Sequence, residues 1–300
     1  MNKKLILITG ATGLIGSALT KKLTEKGYTP VILSNTISNH EKNIFKWHPR
    51  LKISELIPSG NYYGVINLAG ANIAELKWNE KGRNQIFKSR VNSTLYLKSI
   101  IDTLPSVPEH IISASAIGYY GTNDEEVKTE TSEQGGDFPA RVCVAWENAA
   151  WNLETKNSHL SILRIGIVLA KEGGFYKKIS QLANWKIASS LGTGKQPVCW
   201  IHIDDLVNIM LDILENRIKP GVYNAVAKCD SNKDITKMIA SKNGQPFLWP
   251  PVPGLLIKMI FRNKAEIFTK GSRVSSNKIK SQGYEFKYLE LEKAISALSK

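Results

Sequence analysis

A short apolar run at residues 5–9 breaks directly into Gly10-Ala11-Thr12-Gly13-Leu14-Ile15-Gly16, and apolar residues then recur at Leu14, Ala18, Leu19 and Leu23 before Gly27. A β-rich run that ends in glycine and passes into a 3.6-residue period predicts strand, tight turn, helix and glycine stop. The GxxGxxG spacing gains its meaning from that context. Without side chains, the backbone N–H groups of the turn and the positive end of the helix dipole can come close to a pyrophosphate. Gly10, Thr12, Gly13, Leu14, Ile15 and Gly16 are therefore candidate cofactor-binding residues.

Further apolar strands are expected at 29–33, 65–68, 111–113 and 161–167, separated by helical stretches at 86–101 and 142–153. Strands alternating with helices imply a parallel sheet, whose ligands collect where the strands end. Beyond residue 170 the pattern loosens around Gly173-Gly174, Gly192 and Gly194, with a last helix at 289–298. The expected class is α/β, a Rossmann-like doubly wound parallel sheet with a smaller C-terminal substrate-side lobe. Residues 1–170 and 203–228 would form the nucleotide-binding domain, and 171–202 and 229–300 the lobe.

The net charge of +14, from 40 Lys+Arg against 26 Asp+Glu, raises the question of a nucleic-acid partner. The basic residues are scattered, as at Lys21, Lys22, Lys26, Lys177, Lys178, Lys278 and Lys280, so no nucleic-acid surface is expected. Cys143, Cys199 and Cys229 are odd in number and lack metal-ligand spacing. That argues for a reducing, cytoplasmic compartment, no disulfide framework and no metal site. The apolar run of four residues before Thr9 is too short for a signal segment, and Lys258 interrupts the stretch at 255–261. The latter falls far short of the roughly 20 residues that span a bilayer, so a packed helix and no membrane partner are expected.

Several strings narrow the reading: Asn67-Leu68-Ala69-Gly70, Trp78, Ser89-Arg90, Ser113-Ala114-Ser115-Ala116-Ile117-Gly118-Tyr119-Tyr120-Gly121, Cys143-Val144-Ala145-Trp146-Glu147, Trp200-Ile201-His202-Ile203-Asp204-Asp205 and Pro251-Val252-Pro253-Gly254. Together they resemble the extended and atypical short-chain dehydrogenase/reductases, and within them the epimerase-like subgroup with its own C-terminal lobe. The resemblance implies a bound nicotinamide dinucleotide and adds Leu68, Ala69, Gly70 and Arg164 to the cofactor-binding set. At the end of the second strand an acid would favour NAD, and an Arg would favour NADP. Here stand Ser34-Asn35, which carry no repelling charge and can donate hydrogen bonds, so NADP(H) is favoured over NAD(H).

Reactive members of that superfamily use Ser, Tyr and Lys, the last two spaced as YxxxK. Alignment puts Cys143 and Glu147 at those positions, so the usual mechanism is not assumed, although the two share a helix face. A carboxylate beside Cys143 would raise the thiol pKa. Ser115 remains to polarise a carbonyl, Tyr119 or Tyr120 could supply a phenol, and Arg90 could pair with Glu147 or bind an anionic substrate. His202 reads as structural beside Asp204-Asp205, which would cap a helix over 206–214. The expected function is an NADP(H)-dependent oxidoreductase or epimerase acting on a small carbonyl or hydroxyl substrate, sugar nucleotides included. The alternative is a non-catalytic NADP(H)-binding sensor or interaction module. A homodimer is left open.

Overall fold

The computed structural model describes residues 4–73, 75–122, 126–247, 251–261 and 265–299. In chain order its first half runs β1 (Leu5–Thr9), α1 (Leu14–Glu25), β2 (Thr29–Ser34), β3 (Ile44–His48), β4 (Ile53–Ser54), β5 (Tyr62–Asn67), α2 (Glu80–Ile101), β6 (His110–Ala116), α3 (Phe138–Trp151) and β7 (His159–Ile165). The second half runs β8 (Ile167–Ala170), α4 (Gly174–Asn184), β9 (Pro197–His202), α5 (Ile203–Leu214), β10 (Val222–Ala225), β11 (Lys228–Ser231), α6 (Asn232–Lys242), α7 (Gly254–Phe261), α8 (Ala265–Thr269), α9 (Asn277–Ser281) and α10 (Leu291–Leu298). Among the described residues the main sheet has eight strands in the order β10-β7-β6-β5-β1-β2-β3-β4. The pairs β1·β2, β1·β5, β2·β3 and β5·β6 are parallel. This is the expected Rossmann-like α/β architecture, with the run ending at Gly10 in the centre.

The chain divides into two compact units, Met1–Ser115 with Arg141–Leu163 and Val207–Val222, and Ala116–Ala140 with Arg164–Leu206 and Tyr223–Lys300. In the first unit Leu7, Val31, Leu33, Val65, Ile111 and Ile162 project from the strands onto Leu97 and Ile101 of α2 and Ala150 and Leu153 of α3. Continuous apolar strands are the signature of a sheet covered on both faces. The second unit starts earlier than the expected lobe. The reason is packing: Ile117, Tyr119 and Tyr120 lie against Cys199, Val226 and Val274.

Three expectations need correction. The strand expected at 161–167 is two strands, since β7 ends at Ile165 and β8 belongs to a three-stranded sheet, β11-β9-β8. A side chain on the intervening Gly166 would lie 2.7 Å from the Cys199 carbonyl oxygen, so the chain changes sheets where only glycine fits. Cys199 and Cys229 face each other across antiparallel β9 and β11 with Cα atoms 3.8 Å apart and form a disulfide, and the buried Cys143 lies outside it. An odd cysteine count does not exclude one cross-strand pair, and strand register, not spacing, creates it. In α7, finally, Ile257 is buried but Leu255 and Met259 are 72% and 68% exposed, so its packing is partial. Among the described residues no helix is long and apolar enough to cross a membrane.

The Asp204-Asp205 pair lies inside the first turn of α5, which begins at Ile203. Asp205 is fully buried and latches the C-terminal segment: it accepts from Tyr284 Oη at 3.1 Å and from the backbone N–H groups of Lys287 and Tyr288 at 2.8 and 2.9 Å. His202, 3% exposed, stacks on Tyr288 with ring centroids 3.8 Å apart. Its Nδ1 accepts from the Asp204 N–H, and burial holds its pKa below the ordinary histidine value against the pull of Asp204 and Asp205.

Asp205→Ala removes the acceptor for the Lys287 and Tyr288 N–H groups, while Tyr284 Oη keeps the Asp205 carbonyl at 2.9 Å, and should cost about 2–4 kcal/mol of unfolding free energy, read by urea titration. Because folding depresses the His202 pKa, the unfolded chain takes up a proton first as pH falls. Stability is therefore complete above about pH 6.5 and declines below it. His202→Phe should flatten that acid-side decline in melting temperature; an unchanged slope would assign the decline to other groups.

Candidate functional site

Gly10 has a φ of +70°, and a Cβ there would lie 2.5 Å from the Leu68 carbonyl oxygen, so glycine is required twice over. At Gly16 a Cβ would lie 2.3 Å from the Gly10 oxygen and 2.5 Å from Ala11 Cα. The turn is closed by Gly13 N–H donating to Gly10 O at 3.0 Å, and no side chain caps α1 at Gly13. The first N–H groups of a helix have no intrahelical acceptor, and no acidic residue occupies this first turn. The result is a cradle of Gly10, Thr12, Gly13, Leu14, Ile15 and Gly16 suited to a phosphate group.

Asn67, buried at the end of β5, holds the cradle from below. Its Oδ1 accepts from Thr9 Oγ1 at 2.8 Å, and its Nδ2 donates to Thr94 Oγ1 at 2.8 Å and Ser113 Oγ at 3.3 Å. Leu68 N–H donates to the Thr9 backbone oxygen at 3.2 Å, which fixes Leu68-Ala69-Gly70 against the glycine turn. One amide thus ties the ends of β1, β5 and β6 to α2. This role of Asn67 is not among the sequence expectations; the signal for it is an amide at the end of an apolar strand.

At the end of β2, Ser34 is buried and its Oγ accepts from the N–H groups of Thr36 and Ile37, both at 3.3 Å. It shapes the loop, while Asn35 and Thr36 are exposed. An acid that sequence reasoning missed, Glu55, reaches this loop. It accepts from Ser38 Oγ at 2.8 Å, His40 Nε2 at 3.2 Å and Lys46 N–H at 2.7 Å. Those donors, the Lys46 N–H foremost, hold its pKa down to about 2.

The catalytic candidates of the first unit converge on α2, β6 and α3. Ser115 Oγ donates to Glu147 Oε1 at 2.6 Å, with the two residues 2% and 5% exposed. Arg90 does not pair with Glu147; among the described residues it makes no ion pair. Burial lowers the pKa of its guanidinium and the neighbouring Cys143 thiol opposes that shift. Cys143 is 5% exposed, one helical turn before Glu147.

In the second unit Arg164 is 4% exposed, and its Nη1 donates to Tyr120 Oη at 3.0 Å and the Glu130 carbonyl at 3.1 Å. Its Cζ stands 3.4 Å over the Tyr119 ring. Tyr120 Oη donates to Asn224 Oδ1 at 2.6 Å, and burial pushes its pKa above the ordinary phenol value. The structure thus gathers Arg164, Tyr119 and Tyr120 into one buried polar network.

Residues 6–225 match the model of the NAD dependent epimerase/dehydratase family. The chain belongs to that family. Residues 252–298 match a further family described as a domain of unknown function, DUF1731. The chain is 32% identical to the epimerase family protein SDR39U1 homolog, chloroplastic, of Arabidopsis thaliana over 98% of this chain and 86% of that protein. It is 31% identical to the epimerase family protein YfhF of Bacillus subtilis (strain 168), covering 98% and 97% of the two chains. Human epimerase family protein SDR39U1 (isoform 2), solved with NADPH, superposes with a TM-score of 0.88 at 28% identity, covering 98% and 99% of the two chains. The UDP-glucose 4-epimerase of Thermotoga maritima shares the fold, with a TM-score of 0.75 at 19% identity over 98% and 97%.

A Gly13→Asp variant places bulk and negative charge where a phosphate would sit. NADPH should raise the melting temperature of the native protein by mass action and should give this variant no shift while it remains folded by circular dichroism. An equal shift in both proteins would remove the glycine turn from the site.

Proposed function

We propose that the chain is an NADP(H)-dependent oxidoreductase or epimerase acting on a small carbonyl or hydroxyl substrate, with Ser115 and Glu147 handling the proton. The observation that carries this reading is the buried 2.6 Å hydrogen bond between them. The cradle fits a dinucleotide because no side chain caps α1 at Gly13 and no acid occupies its first turn, which leaves the N-terminal N–H groups to a phosphate, and the nicotinamide, when bound, supplies hydride transfer. A relative of 28% identity solved with NADPH supports the phosphorylated cofactor, as does the absence of an acid at Ser34-Asn35. Glu55, an acid that reaches this loop, accepts from three donors through its Oε2.

A serine hydroxyl carries one proton and two lone pairs. With its proton directed at Glu147, Ser115 Oγ can accept the proton of a substrate hydroxyl while passing its own to the carboxylate. In the opposite direction the proton returns through Ser115 to a carbonyl oxygen. Tyr120 is a poorer donor here, because its phenol already donates to Asn224 and burial raises its pKa. Cys143 stands as the second proton donor on the same helix face. The partners in this reading are the dinucleotide and a small substrate in the cytoplasm, with no nucleic acid or membrane.

On a panel of carbonyl compounds, alcohols and sugar nucleotides, Glu147→Gln and Ser115→Ala should each lower turnover by about 10²- to 10⁴-fold while keeping the NADPH thermal shift, with Cys143→Ala having the smaller effect. A large loss confined to Cys143→Ala would move the proton to the thiol. No turnover across the panel, with NADPH still bound, would favour a cofactor-binding sensor module. Titrations should show tighter binding of NADPH than of NADH.

A further inference from the structure

The proton relay leaves Arg90 unused. On α2 this side chain is half-buried, and its Nη1 donates to the Ile86 carbonyl at 3.2 Å. Its guanidinium lies over Trp146, with Cζ 5.1 Å from the ring centroid. On the other side it closes on Gly70, where a Cβ would stand 3.2 Å from Cζ and 3.3 Å from Nη2. Among the described residues no carboxylate pairs with it. Trp146 is 6% exposed, and its Nε1 is buried without a hydrogen-bond partner.

Stacking accounts for the guanidinium lying on the ring. It does not account for an indole N–H left unsatisfied beside a cation that lacks a counter-ion, because buried donors are almost always paired. A positive fork lying over an indole whose own N–H is unpartnered offers both charge and a donor to an oxyanion. Trp146 directly precedes Glu147 in α3, and Gly70 belongs to the loop fixed against the cofactor cradle. The set thus joins the helix that carries Glu147 to the loop fixed against the cofactor cradle.

We propose that Arg90 and the Trp146 Nε1–H form the subsite for a substrate carboxylate, so that the substrate class is a hydroxy or oxo acid. This rests on reading the chain as an oxidoreductase or epimerase, and it names the substrate of that same site. A carboxylate fits better than a phosphate, since one guanidinium balances one negative charge and its planar fork matches a planar acceptor pair.

Oxamate, a planar carboxylate, and oxamide, its neutral counterpart, are titrated into ¹⁵N-labelled protein with and without NADPH, and inorganic phosphate serves as the competing oxyanion. Oxamate should move the Trp146 indole resonance, identified by its loss in Trp146→Phe, and oxamide should not. Arg90→Gln should weaken oxamate binding about 10- to 100-fold while the NADPH thermal shift is retained. Trp146→Phe keeps the stacked ring and should weaken it about 3- to 10-fold. Equal effects of oxamate and oxamide, tighter binding of phosphate at this indole, or loss of NADPH binding in Arg90→Gln would each overturn the carboxylate subsite. The arm without NADPH separates the two proposals: if the cofactor fails to bind, the function above falls, and the indole signal still decides the subsite.

Discussion

The close approach of the Gly10 turn to the Leu68 carbonyl is the constraint on which the first unit is built. A Cβ at Gly10 would meet that oxygen at 2.5 Å, so β1 and β5 can end side by side only if the turn carries no side chain. The contact is held by Asn67, whose amide reaches Thr9, Thr94 and Ser113. A buried amide on β5 satisfied by partners on three other elements fixes the relative heights of three strand ends and α2, because leaving any of its groups unpaired is costly. Everything offered to a ligand on this side follows from that spacing: the open N-terminus of α1, the Leu68-Ala69-Gly70 loop, and the strand end that carries Ser115.

The same geometry underlies the proton path proposed for Ser115 and Glu147. In the superfamily to which this chain's strings are similar, a cation lowers a phenol pKa. Here a carboxylate accepts the hydroxyl hydrogen bond of Ser115, and the cation of this region stands on α2 as Arg90. A buried carboxylate and a half-buried guanidinium thus stand in the same unit without pairing to each other. The arrangement suits chemistry in which an oxyanion provides the missing counter-charge.

The second unit solves a different problem, that of burying an arginine. Arg164 is satisfied by a phenol, a backbone carbonyl and the face of Tyr119, and Asn224 and Glu130 complete the network. A planar guanidinium can stack and donate at once, which a lysine could not do in that place. Asp205 serves in the same unit as the anchor for the segment around Tyr288. Its identity as an acceptor for backbone N–H groups was invisible in a sequence where two adjacent aspartates read most simply as a helix cap.

The strand, glycine turn and helix at residues 5–25 were legible from the sequence because each is a local rule: apolar run, residue without a side chain, 3.6-residue period. So were the parallel alternation and the presence of Ser115, Cys143 and Glu147 on elements that could meet. The tertiary structure alone decided that Glu147 turns to Ser115 and not to Arg90. It also decided that Ser34 folds its own loop, that residues 161–167 divide at Gly166, and that Cys199 lies opposite Cys229. These facts depend on strand register and on which of several polar partners a buried group meets first, and neither is encoded within a window of neighbouring residues.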